Sequence, residues 1–208
     1  MNRDFLGDYL DHFKGGVIRL LPQEIRAEVL GVPLPTDEAA WPEQDMRLYE
    51  QLVGIPERRV RWSVDDQRRF PRSGEDRTKY FESLANEAAR FLFLDPDTGI
   101  KFSDGDSRVH IRVTELKQLV DGHPDRGLIV YQHAGRRVKD SDLKSNMPEW
   151  LEKYTRFTFE RLVTAGFTVA AYPAAQASVF FISTEQGPVQ ELAAPINATL
   201  GNRRIYGL

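Results

Sequence analysis

Two continuously apolar runs constrain this chain most: FLFL at Phe91–Leu94 and GLIVY at Gly127–Tyr131. A strand that is apolar at every position has no polar face to offer water. Such strands belong in a sheet covered on both sides. Segments of helical period lie before, between and after them, which implies crossover connections and parallel pairing.

The 3.6-residue period predicts helices over residues 4–21, Met46 to Val53, Thr78 to about Arg90, Val113–Val120 and Pro148–Ala165. In the last of these, Trp150, Leu151, Tyr154, Phe157, Leu162 and Val163 fall on or near one face. Ala27–Val32 and Val60–Val64 read as short strands. Phe167–Tyr172 and Ser178–Ser183, separated by PAAQA, read as a hairpin. The expected fold is one α/β domain over residues 1–208: three-layer and Rossmann-like, with a mostly parallel sheet and an antiparallel C-terminal hairpin. The final helix followed by two closely connected strands resembles the C-terminal half of Rossmann-like methyltransferases.

Composition removes several chemistries. The chain has no cysteine, so disulfides, thiolate zinc sites, iron–sulfur clusters and a cysteine nucleophile are excluded. A net charge of −3 does not mark the whole surface for nucleic acid. The opening residues MNRDFLGDYLDHFKGG have no long apolar core, and no run approaches the ~20 apolar residues of a membrane span. The expectation is a cytoplasmic protein with no membrane partner.

The first apolar run ends in Asp95-Pro96-Asp97-Thr98-Gly99. Carboxylates at the C-terminal end of a buried strand stand where open α/β sheets place chemistry. Asp95 and Asp97 are the candidate ligands for Mg²⁺ or Mn²⁺, which prefer oxygen. The alternative is a turn whose side chains bond local amides. The second run continues into Gln132-His133, then Arg136-Arg137. If the two strands are neighbours, His133 stands near the acids as base or ligand. Arg136 then steadies a phosphate, with Thr98, Gly99, Gln132 and Arg137 lining the substrate.

Three further groups carry weaker readings. Glu115-Leu116-Lys117 downstream of Asp95 imitates the D…ExK pattern of metal-dependent nucleases, which requires a strand there. The helical reading instead turns Glu115 and Lys117 outward. Residues 57–79 hold Arg58, Arg59, Arg61, Arg68, Arg69, Arg72, Arg77 and Lys79, interleaved with Trp62 and Phe70. That is a phosphate-binding composition, tempered by five acids in the same window. Asp11-His12-Phe13-Lys14 on the first helix reads mostly as a solvated face.

Together these residues resemble a group of uncharacterised bacterial proteins. The group shares a strand-DPD[TN]G motif, a helix with an acidic-Leu pair (here Glu115-Leu116) and a strand ending in YQH with an arginine after it. The resemblance implies a shared site and names no reaction. Three functions follow as expectations. The first is a metal-dependent phosphoester hydrolase, nuclease-like, acting on nucleic acid or a phosphorylated small molecule. The second is a methyltransferase-like protein, active or degenerate, although residues 1–60 show no glycine-rich cofactor loop. The third is a non-catalytic module that binds nucleic acid or protein.

Overall fold

The computed structural model describes residues 3–36, 41–55, 59–62, 71, 74–103, 105, 107, 109–133, 140–174, 177–200 and 207. Asp8 opens the first long helix by accepting hydrogen bonds from the amides of Leu10 and Asp11. Such a cap satisfies donors that the helix itself leaves over. This helix, α1 (Tyr9–Leu20), is followed by the short α2 (Gln23–Arg26) and by strand β1 (Val29–Leu34). Helices α3 (Glu43–Val53) and α4 (Gly74–Ala85) lead to β2 (Phe91–Pro96). Two three-residue strands, β3 (Gly99–Lys101) and β4 (His110–Arg112), pair with each other in parallel. Then come α5 (Val113–Val120), β5 (Gly127–His133), α6 (Asp140–Thr164), β6 (Thr168–Ala174), β7 (Ala177–Ser183) and α7 (Gln186–Leu200).

The main sheet has the order β1-β2-β5-β7-β6. The two apolar runs are neighbours in parallel, with Phe91 opposite Gly127 and Leu94 opposite Val130. The expected hairpin forms between β6 and β7. The expected mostly parallel sheet does not. β7 lies between β5 and β6 and runs antiparallel to both, so two of the four neighbour pairs are antiparallel and the sheet is mixed. The short β6–β7 connection forces this. It must reverse the chain, and the returning strand lies inside β6 rather than at the sheet's rim.

Alternate residues of each strand enter different apolar clusters. Phe91, Phe93, Ile129, Tyr131, Val179 and Phe181 meet α1, α3 and α7 residues such as Ile18, Tyr49 and Leu192. Leu92, Leu94, Leu128, Val130, Phe180 and Ile182 meet Phe81, Leu116 and Leu162 from α4, α5 and α6. This period of two is why both strands had to be apolar throughout. On the first face α1 and α3 approach closely. A Cβ placed on Gly15 would stand 1.9 Å from the Leu52 carbonyl oxygen.

Other boundaries moved. Val60 makes an isolated parallel bridge to Gly31, and residues 63–64 of the expected strand lie outside the described residues. Residues 109–117 are not one strand, because α5 begins at Val113, so the D…ExK reading lacks its strand. On α6, Leu151 and Leu162 are buried, but Phe157 and Val163 are 53% and 47% exposed, not on the core face. Neither α7 nor the β3–β4 pair was expected. No helix among the described residues is long and apolar enough to cross a membrane.

Candidate functional site

Parallel β1, β2 and β5 all end at one edge of the sheet, with Asp95 at the end of β2 and Gln132-His133 at the end of β5. The apolar strand carries the Asp95 carboxylate into a place that is only 1% exposed. A bare buried carboxylate is costly, so it needs partners. Lys14 Nζ donates to Asp95 Oδ2 at 2.9 Å and to Asp11 Oδ1 at 2.8 Å. The Tyr49 hydroxyl donates to the same Asp95 oxygen at 3.0 Å. Asp11 Oδ2 accepts the Gly7 amide at 2.8 Å. Asp95 Oδ1 is buried and accepts no hydrogen bond among the described residues.

Two carboxylates thus surround one ammonium, leaving the cluster one negative charge in excess. Burial pulls the Lys14 pKa down, but the charges and hydrogen bonds of Asp95 and Asp11 outweigh it and hold the pKa above its ordinary value. Burial, and then the same two acids, push the Tyr49 phenol well above its ordinary 10.0. Both groups keep their protons in the fold to higher pH than in the unfolded chain. Their contribution to stability is therefore complete below the unfolded pKa values of 10.0 and 10.5 and is lost as pH rises through the folded ones. The urea midpoint is expected to hold steady between about pH 8 and 9.5 and to fall above about pH 10. Tyr49→Phe makes that alkaline fall shallower. An equally steep fall in the variant would contradict the assignment.

The expected solvated face of α1 is corrected by this cluster. Asp11 and Lys14 are 3% and 4% exposed. They lie in the same helical stripe as Leu10, Val17, Ile18 and Leu21, which turns them onto the sheet. Tyr49 was not singled out by sequence. Its only signal was its place in the α3 stripe with Val53, and that reads as core.

Other residues hold the loop after β2 in place. Gln132 accepts the Ile100 amide at 2.9 Å through Oε1 and donates to the Tyr154 hydroxyl through Nε2. Gly99 has φ +128°, and a Cβ there would stand 2.5 Å from the Gln132 side chain, so only glycine fits. The Thr98 carbonyl accepts the His133 amide at 3.2 Å, and the Thr98 amide donates to the Val109 carbonyl at 2.8 Å. Gln132, Thr98 and Gly99 therefore position the loop that was expected to line substrate.

His133 connects to Asp95 through two intermediates. Lys14 Nζ stands 4.5 Å from the Tyr131 ring centre, and the His133 ring packs edge-on against Tyr131 at 5.0 Å. Asp97, half-buried, acts on a different histidine: its charge favours protonation of His110. Arg136 and Arg137 lie outside the described residues, as do Arg58, Arg68, Arg69 and Arg72. Among the described basic residues of that segment, Arg61 pairs with Glu87 and Lys79 with Glu75.

Glu115 is also corrected. It is 7% exposed and binds Arg77, which is 2% exposed, through both carboxylate oxygens; Nη2–Oε2 is 2.7 Å. Arg77 reaches further, to the carbonyls of Pro71, Ser107 and His110. The pair fastens α4 and α5 to the turn before β4.

Comparison with protein-family models, with curated proteins and with solved structures found no match for the chain.

Proposed function

We propose that the chain hydrolyses a phosphoester at the edge where β1, β2 and β5 end, with Asp95 as the central group. One observation carries the reading. Asp95 is clamped on one oxygen by Lys14 and Tyr49, while its other oxygen is buried and unpartnered among the described residues. A buried acceptor left without a partner costs about 1–3 kcal/mol, more when it is charged. Such an oxygen at a functional edge suits a cation or a donor from a ligand.

The fit to Mg²⁺ or Mn²⁺ is partial in an informative way. No three acids or histidines among the described residues gather on one point, so these residues do not build an all-protein metal cage. Mg²⁺ commonly binds through one or two carboxylates and takes its remaining ligands from water and substrate phosphate. Asp95, with Asp97 two residues on, would hold it in that way. When bound, the ion supplies positive charge to the phosphoryl oxygens and acidifies its water.

The protein's own residues do the rest. Lys14 donates to Asp95 and fixes its rotamer. Tyr49 restrains the same oxygen. Gln132 and Gly99 hold the loop that carries Asp97. His133, half-buried beside Tyr131, is the base that accepts a proton from water. Among the described basic residues of segment 57–79, Arg61 and Lys79 pair with acids, and the substrate proposed is a small phosphoester.

The test is hydrolysis of bis(4-nitrophenyl) phosphate, single-stranded DNA and RNA with Mg²⁺ or Mn²⁺. Turnover of the small ester is expected, falling on the order of 100-fold or more in Asp95→Asn. No turnover of any of the three with either ion would remove the reading.

One observation favours a second reading, a Rossmann-like three-layer protein related in layout to methyltransferases. β7 lies antiparallel between β5 and β6, apolar clusters cover both faces, and Val60 bridges the outer side of β1. Against it, β1 reads VLGVPL and ends without a glycine-rich loop. Calorimetry with S-adenosylmethionine separates the two readings, since the hydrolase reading expects no heat of binding.

A further inference from the structure

A second cluster lies on β4 and the turn before it, next to the loop that carries Asp97. Ser107 Oγ and His110 Nδ1 are 2.7 Å apart, and both residues are half-buried rather than sealed. Their backbones are fixed from beneath. Arg77 Nη1 donates to the Ser107 carbonyl at 2.5 Å and Nη2 donates to the His110 carbonyl at 2.8 Å. Glu115 holds that guanidinium and also accepts the Arg112 amide at 2.8 Å. His110 is further set by β4, which pairs it with Gly99 of the loop carrying Asp97. A hydroxyl and an imidazole held this way are pre-aligned by buried supports, as a working pair requires.

We propose that Ser107 and His110 are a nucleophile and its general base, acting on a neutral carboxylic ester. The inference is independent of Asp95. The charges around the pair choose the ester. Arg77 is engaged by Glu115 and three carbonyls, and Lys101 Nζ donates to the Gly105 carbonyl at 2.8 Å. Among the described residues, the acid whose charge acts on His110 is Asp97. An anionic phosphoryl group meets a negative neighbour and two committed cations, whereas an uncharged carbonyl meets no such penalty.

Ser107 Oγ attacks the carbonyl carbon and passes its proton to His110 Nδ1. The bond to the leaving alkoxide breaks, and that oxygen takes the proton from His110. Water then attacks the acyl-serine, gives its proton to His110 and releases the acid, and Ser107 Oγ is reprotonated. Burial, then Lys101 and Arg77, lower the His110 pKa from 6.5, while Asp97 opposes them. That direction favours the uncharged imidazole, the form that accepts the Ser107 proton.

The experiment treats the full chain with an alkyl fluorophosphonate, which labels base-activated serines, and maps the adduct by peptide mass spectrometry. One adduct on Ser107 is expected. It should form on the order of 100-fold more slowly in His110→Gln. Burst release of nitrophenolate from 4-nitrophenyl butyrate should accompany it and be lost in Ser107→Ala. No adduct on the folded parent chain, an adduct elsewhere, or an equal rate in His110→Gln would each overturn the proposal. The mapping needs only the parent chain, so a variant that fails to fold does not rescue it.

Discussion

Lys14→Met is expected to cost about 3–5 kcal/mol, read as a drop in the urea midpoint, and Asp95→Asn much less. The asymmetry comes from counting charges. Removing Lys14 leaves Asp11 and Asp95 buried with no cation between them. Removing the Asp95 charge leaves Lys14 still paired with Asp11 at 2.8 Å, a neutral pair that keeps its hydrogen bond. Lysine to methionine also preserves most of the apolar stem, so lost packing contributes little. Equal losses in the two variants would mean that Lys14 matters through its stem rather than its charge.

Glu115→Ala should be comparably severe, about 3–5 kcal/mol. The substitution takes the paired carboxylate from the Arg77 guanidinium, which is 2% exposed and also reaches the carbonyls of Pro71, Ser107 and His110 and the Phe81 ring. It also removes the acceptor for the Arg112 amide at the start of α5. Glu115→Gln keeps the acceptor oxygen but not the charge, and should fall between the parent and Glu115→Ala. Thermal and urea unfolding followed by circular dichroism decide this. A loss under about 1 kcal/mol, typical of an exposed pair, would contradict the buried one described.

The two acids of Asp95-Pro96-Asp97 were legible because an uninterrupted apolar run can end only at the rim of a covered sheet. Their partners were not. Lys14 lies 81 positions from Asp95 and Tyr49 lies 46, and no local period links such distances. A hint existed on α1, where Asp11 and Lys14 fall in the buried stripe of Leu10, Val17, Ile18 and Leu21. Charged side chains in such a stripe signal a buried pair as readily as a solvated turn. Glu115, beside buried Leu116 and Leu119, gave the same hint. The helix α7 was hidden by Pro188 and Pro195, residues that normally end helices. The mixed sheet could not be read because a tight hairpin fixes the direction of its strands, not which of them lies inside.

The buried Oδ1 of Asp95, which accepts no hydrogen bond among the described residues, is the centre of the proposed site. The direct measurement is Mn²⁺ uptake followed by electron paramagnetic resonance, with methylenediphosphonate as a phosphate-bearing probe. Saturable uptake of Mn²⁺ with the probe is expected for the parent chain, and none for an Asp95→Asn variant whose urea midpoint shows it folded. Equal uptake by both chains, or none by the parent, would contradict the proposed site.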